Sequence, residues 1–125
     1  MPPFEHAVAA TRGARDYQED TAAFLSGGDP IALSNDGPEY DRSGFAVLAD
    51  GMGGHTGGAL ASRTVCDHFL KHAVASTGDL SERLISALGA ANAAIASKIV
   101  QNPLLSGMGS TLIGAAFSPA GVEWV

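Results

Sequence analysis

The sequence predicts an α+β domain whose helices gather against a mainly antiparallel sheet. Two observations predict it. Segments with strand character come first, two consecutive helical segments follow, and strand segments return, an order unlike alternating βαβ units. Clusters of Gly, Pro, Asp and Ser separate the strand segments, as in hairpin connections. At 125 residues the chain is one domain's worth at most, long enough for a sizeable core.

Each element has its own local signal. His6 to Arg12 (HAVAATR) has small and β-branched residues and reads as a first strand, and Thr21 to Leu25 (TAAFL) as a second. From Ser26 to Ser43 the composition is loop chemistry, with a short strand at Ile31 to Leu33. Asp29, Asp36, Glu39 and Asp41 lie there at spacings that fit no calcium loop, so they read as a solvated loop. Phe45 to Ala49 is apolar throughout, the pattern of a strand covered on both faces. Ala59 to about Ala75 is predicted helical, because Val65, Cys66, Phe69, Leu70 and Ala73 fall on one stripe. A second helix is capped by Asp79 with Glu82 three residues on. Its apolar face is Leu80, Leu84, Leu88, Ile95 and Ile99, and Pro103 stops it. Ser106 to Ser110 reads as a turn, Thr111 to Phe117 as a strand, Ser118 to Gly121 as a turn, and Val122 to Val125 as the start of another strand. Trp124 and Val125 lie in that strand with no closing turn, so the expectation is a portion of a longer protein.

Composition excludes some functions. A formal net charge of -6 argues against nucleic acid as a partner, because phosphate backbones are held by clustered Lys and Arg. No segment reads as a membrane span of roughly 20 apolar residues, and MPPFEH lacks a signal-peptide layout. A cytoplasmic setting is therefore expected, and the single Cys66 fits it. That thiol sits inside the apolar stripe and reads as structural. His68 and His72 share a helix face at metal-binding spacing, yet they lie beside Asp67 and Lys71 with no third ligand nearby and read as a solvated face. The abundant acids are either surface charge or oxygen ligands for a hard cation.

Two acidic segments carry chemistry: ARDYQED, Ala14 to Asp20, and LADG, Leu48 to Gly51. Both lie at ends of strand segments, where distant side chains meet. Glu19, Asp20 and Asp50 gathered at one edge would repel unless a divalent cation sat among them. Gly51 leaves its carbonyl unshielded as a further oxygen ligand. Arg15, just before the acidic pair, is suited to holding a phosphate through two parallel hydrogen bonds. Five of the eight residues after Asp50 are glycine, which implies a close approach to the backbone. A phosphate cradle is disfavoured there, because no G-x-x-x-x-G-K-[ST] or G-x-G-x-x-G is present and Asp50 would repel a bare phosphate.

Taken together, R-x-x-x-E-D (Arg15 to Asp20), D-G-M-G-G-H (Asp50 to His55), G-G-x-x-A-S (Gly57 to Ser62) and MGSTLIGAAF (Met108 to Phe117) resemble the metal-dependent protein phosphatases, the type 2C serine/threonine phosphatases, in their bacterial form. The resemblance runs from about Val8 to Val125. It implies an antiparallel β-sandwich flanked by helices, a four-layer αββα fold that is incomplete in this chain. Residues 1–125 would be the amino-terminal portion of a single phosphatase domain, with the remainder and its metal-binding aspartates after Val125. The resemblance also implies that Glu19, Asp20, Asp50 and Gly51 surround two Mn2+ or Mg2+ ions, and that Arg15 holds the substrate phosphate. A metal-bridging water would attack phosphorus, acidified by the cations, which also neutralise the phosphate's charge. Substrates would be proteins phosphorylated on Ser or Thr, among them the targets of a cognate kinase. Met52 stands where many eukaryotic members place a proton-donating histidine, so His55 does not inherit that role, and Ala59 stands where bacterial relatives often carry glutamate. The alternative from another class is a catalytically inactive, phosphatase-like binding or regulatory module. The isolated chain is expected to be inactive, since it holds only the front half of a site.

Overall fold

The structure, a computed structural model, describes residues 4–26, 30–34, 37–40 and 43–125, of which 30–34, 37–40, 55 and 56 are described by backbone alone. Among the described residues seven strands and two long helices follow one another: β1 Asp20–Ser26, β2 Pro30–Ser34, β3 Gly37–Tyr40, β4 Gly44–Met52, α1 Gly54–Ala75, α2 Leu80–Gln101, β5 Gly109–Ser110, β6 Ile113–Ser118 and β7 Gly121–Trp124. The main sheet runs β1-β4-β6-β7 with every pair antiparallel, and β5 adds two residues to the end of β4. β2 and β3 form a separate hairpin. The expected α+β class and antiparallel sheet are therefore present, as one main sheet and one helical layer among the described residues.

β4 lies at the centre because it is the most apolar strand. Its alternation sends Phe45, Val47 and Ala49 into the core. They meet Val65, Cys66, Phe69, Leu70 and Ala73 of α1, the expected stripe, all buried. Gly114 of β6 leaves room for the Phe69 ring, whose atoms occupy the space a Cβ there would need. α2 closes the layer. Its buried residues are Arg83, Leu84, Ala87 and Ala91, with half-buried Leu80 and Ile95 beside them. The alanines, not Leu88 and Ile99, carry the packed stripe, because small side chains let α2 lie close against α1. Asp79 caps α2 as expected, accepting the Glu82 N–H at 2.9 Å.

Arg83 was not singled out in the sequence, yet it joins three elements. It is buried, donates from Nε and a terminal nitrogen to the Ala73 carbonyl (3.0 and 2.8 Å) and to Val74 (3.3 Å), and stands 4.8 Å from the centre of the Phe45 ring. A guanidinium thus satisfies the carbonyls at the negative end of α1.

Several expectations are corrected. His6 to Arg12 is not a strand. Both edges of β4 are taken by β1 and β6, and this segment finds no ladder partner among the described residues. The chain here lies over the sheet face away from the helices, with Phe4 against Phe24 and Phe117 and the His6 ring 4.2 Å from Phe24. β4 is not covered on both faces within the described residues, since Leu48 is 53% exposed. The short strand expected at Ile31 to Leu33 is present as β2, but the loop read around it also contains β3, whose pairing with β2 overrides the turn composition around Pro38. Glu39 lies in β3, and Asp29, Asp36 and Asp41 lie outside the described residues. The 106–110 turn ends in β5. By length and composition alone α2 is also long and apolar enough to cross a membrane, contrary to the reading that no segment is. Its alanines raise hydropathy, and one face is committed to α1 and the core.

Candidate metal centre

The antiparallel register of β1 on β4 sets Asp20 directly opposite Asp50. Like charges facing each other across strands destabilise a sheet unless something neutralises them. Both are exposed, on the face that also carries Leu48. Glu19, one residue earlier, goes the other way. Its carbonyl accepts the Gly51 N–H at 3.1 Å, and its carboxylate lies against Gly58 in the first turns of α1. Glu19 Oε1 is buried with no hydrogen-bond partner among the described residues.

Glycine makes this junction possible at three places. A Cβ on Gly51 would overlap the Gly58 carbonyl oxygen, and one on Gly58 would overlap Glu19 Oε1. Gly53 and Gly54, at φ 129° and 78°, turn the chain from β4 straight into α1. The glycine-rich run is therefore mostly helix: α1 begins at Gly54, five residues before the predicted start, with no side-chain cap. Contact with β4 and Glu19 overrides glycine's poor helix propensity.

Arg15 sits in an exposed turn closed by its own N–H on the Arg12 carbonyl (3.1 Å). Thr11 organises the loop, accepting the Gly13 N–H on its hydroxyl and the Gln18 amide on its carbonyl, and Gln18 in turn accepts the Asp20 N–H at 3.2 Å. The Arg15 guanidinium makes no ion pair among the described residues.

The structure thus brings Asp20 and Asp50 together and ties Glu19 to Gly51 through the backbone. Among the described residues no three His, Cys, Asp or Glu side chains gather as a metal-holding group. Strand alternation gives the reason, since Glu19 reaches the helix side while the two aspartates point to the opposite face. The expected convergence of Glu19, Asp20 and Asp50 is thus corrected to a facing aspartate pair with Glu19 apart from it on the helix side, though the donor types remain those hard cations take: two exposed carboxylates and a third with an orphaned buried oxygen, beside backbone brought close by glycine.

Sequence reasoning missed the residues that hold Asp50 from behind. Ser110 and Thr111 hydrogen-bond its backbone, and buried Met108 fills the hollow at Gly53 and Gly57. The signals were the segment MGSTLIGAAF as part of the resemblance and a turn passing into a strand at Thr111, and neither assigned these residues a role toward Asp50. Cys66 and the exposed His68 stand as expected, whereas His72 is half-buried against α2 and not on a fully solvated face. Cys66 is buried, with Sγ 3.5 Å from the Thr21 carbonyl, and burial pushes its thiol up to about 11. His72 Nε2 is 2.7 Å from Ser86 Oγ, and Lys71 pairs with Asp67 at 3.0 Å.

No protein-family model matches the chain. It is 38% identical over 90 residues to the serine/threonine protein phosphatase PstP of Mycobacterium tuberculosis, a match covering 70% of this chain and 17% of that protein. The crystal structure of the same phosphatase aligns with a TM-score of 0.59 at 33% identity, over 85% of this chain and 46% of that one. Its catalytic domain in complex with two manganese ions aligns with a TM-score of 0.54 at 32% identity, over 79% and 44%. The chain spans less than half the length of these relatives.

Proposed function

From its likeness in sequence and fold to the bacterial type 2C serine/threonine phosphatases, we propose that this chain is the amino-terminal portion of one such phosphatase domain, continued after Val125, and that the intact protein removes phosphate from phosphoserine and phosphothreonine in proteins. Targets of a cognate kinase are the substrates this reading implies. The observation that carries it is the register that sets Asp20 against Asp50. Two carboxylates fixed face to face at a strand end, with Glu19 tied in at Gly51, make a corner that a divalent cation relieves.

Glu19, Asp20, Asp50 and the Gly51 carbonyl would hold two Mn2+ or Mg2+ ions. Such ions supply an acidified water and neutralise phosphate charge. The chain's own residues do the rest. Asp50 keeps its carboxylate at the exposed end of β4, where a phosphate ester has access. Arg15, exposed on its loop and without an ion pair among the described residues, is available to take two phosphate oxygens. Its guanidinium would set the phosphorus in line with the leaving seryl or threonyl oxygen.

The test is hydrolysis of a phosphothreonine peptide by the intact protein. Turnover should require manganese or magnesium, and Asp50→Ala should lower it by more than about 10-fold, the lower bound for disturbing even an outer-shell partner. Full activity in a chelator would sink the reading. Peptide binding without turnover at any metal concentration would favour the inactive binding module instead.

A further inference from the structure

Sixty residues after Asp50 the chain returns and takes hold of it. The Asp50 N–H donates to Thr111 Oγ1 at 3.0 Å. The Asp50 carbonyl accepts the Thr111 N–H at 2.9 Å, and the Ser110 hydroxyl stands 3.1 Å from it and 2.7 Å from the Thr111 carbonyl, its one proton shared between the two acceptors. Both backbone groups of one residue are thus engaged by two consecutive residues. The contact lies between the β4–β6 register, which ends at Leu48 and Ile113, and the short β4–β5 register at Gly51 and Met52. Here the Thr111 side chain accepts the N–H that a regular ladder would give to a carbonyl. Just upstream, Met108 is wedged against the glycine turn, its Cα 2.9 Å from where a Cβ on Gly53 would stand. That wedge anchors the approach of Ser110 and Thr111.

The consequence falls on the Asp50 side chain. A residue near the end of a strand directs its Cα–Cβ bond according to its own φ and ψ, and those are held only as firmly as its N–H and C=O are. Asp50 is exposed, so little side-chain packing orients its carboxylate. The backbone clamp must do so.

We propose that Thr111, supported by Ser110, is a positioning residue for Asp50, its hydroxyl fixing the peptide so that the carboxylate is aimed at a divalent cation. The inference rests on the reading of Asp50 as a metal ligand. It assigns the Thr111 hydroxyl, as distinct from its methyl group, a share in metal affinity. Groups that orient a ligand typically account for 10–100-fold in affinity.

Manganese titration of the intact protein by calorimetry tests this, with thermal denaturation run beside it. Thr111→Val keeps the shape and removes the hydroxyl, and should weaken manganese binding by about 10–100-fold with the denaturation profile retained. Thr111→Ser restores the hydroxyl and should bind within about threefold of wild type, well inside that loss. Wild-type affinity in the valine variant overturns the proposal, as does equal loss in the valine and serine variants, which would show that keeping the hydroxyl does not preserve affinity. Should the valine variant not fold, Thr111→Ala removes the same hydroxyl without crowding, and the same two outcomes apply to it. Asp50→Ala is the reference: undiminished manganese binding there overturns the metal reading itself, and a loss there without one in Thr111→Val overturns the positioning role alone.

Discussion

Gly58→Ala separates the site from the scaffold. A Cβ at position 58 would stand 2.6 Å from Glu19 Cδ and 3.1 Å from Cγ, besides overlapping Oε1. Ordinary carbon contacts begin near 3.5 Å, so the carboxylate must retreat by about an ångström. Glu19 can do this by turning about its own side-chain bonds, because the obstruction is the flexible end of a side chain. Against that cost stands the helix. Position 58 is inside α1, where alanine is better than glycine by roughly 1 kcal/mol. The two effects nearly cancel, and stability should change by less than about 1 kcal/mol. Metal binding has no such compensation, since the orphaned oxygen of Glu19 leaves the corner it shares with Gly51. Manganese affinity should fall about 10–100-fold, read by calorimetry beside urea denaturation of the same preparation. An unchanged affinity would refute the assignment of Glu19. A stability loss above about 3 kcal/mol would show that the junction is too rigid for the side chain to yield.

Gly51→Ala meets backbone instead, with its Cβ 2.6 Å from the Gly58 carbonyl carbon and 3.0 Å from the Glu19 carbonyl oxygen; helix and strand must part, and urea denaturation should show a loss at or above the 1–3 kcal/mol usual for overpacking, or about 3 kcal/mol. Arg83→Met keeps the packing but leaves the Ala73 and Val74 carbonyls without their donor and the Phe45 ring without its cation, so about 3 kcal/mol should be lost in the same assay, with Arg83→Lys intermediate. Cys66, with its thiol raised from 9.0 to about 11, favours the fold in its neutral form; that contribution is whole below pH 9 and is lost as pH rises through 11. Denaturation midpoints should therefore fall between pH 9 and 11 in wild type and less so in Cys66→Ala, and alkylation of the folded protein at pH 7 should be slow.

How much of this was legible depends on whether the signal was local. Asp79 and Glu82 announce the start of α2 within four residues, and the stripe from Val65 to Ala73 announces the packed face of α1. Where a distant partner decides, the sequence misleads. Gly54 to Gly58 reads as a turn by propensity and is helix because Glu19 and Gly51 lie beneath it. Gly37 to Tyr40 reads as loop and becomes a strand because β2 pairs with it. The acidic corner was legible only as motif: nothing in the spacing from Glu19 to Asp50 states that the two chain segments meet, and no periodicity points from Thr111 back to Asp50. Arg83 was invisible for the same reason, since an arginine on an amphipathic helix reads as solvated until the carbonyls it caps are located in space.

The uncovered side of the sheet bears on the site. Leu48, Ile113, Val122 and Trp124 share that face, and Trp124 is 79% exposed. Phe4 and His6 shelter only the part around Phe24 and Phe117. An apolar sheet face is stable against a second layer about 10 Å away, and the two-sheet arrangement implied by the resemblance supplies one. Asp20 and Asp50 point to this same face, by the same alternation that exposes Leu48. A layer laid over Trp124 and Ile113 would therefore approach the two aspartates from the side on which their oxygens stand. Hard cations take about six oxygen ligands, more than these carboxylates and one carbonyl provide. On the proposed reading, a layer covering this face would be in the right place to bring further ligands, so folding and metal binding should be coupled through the same sheet face.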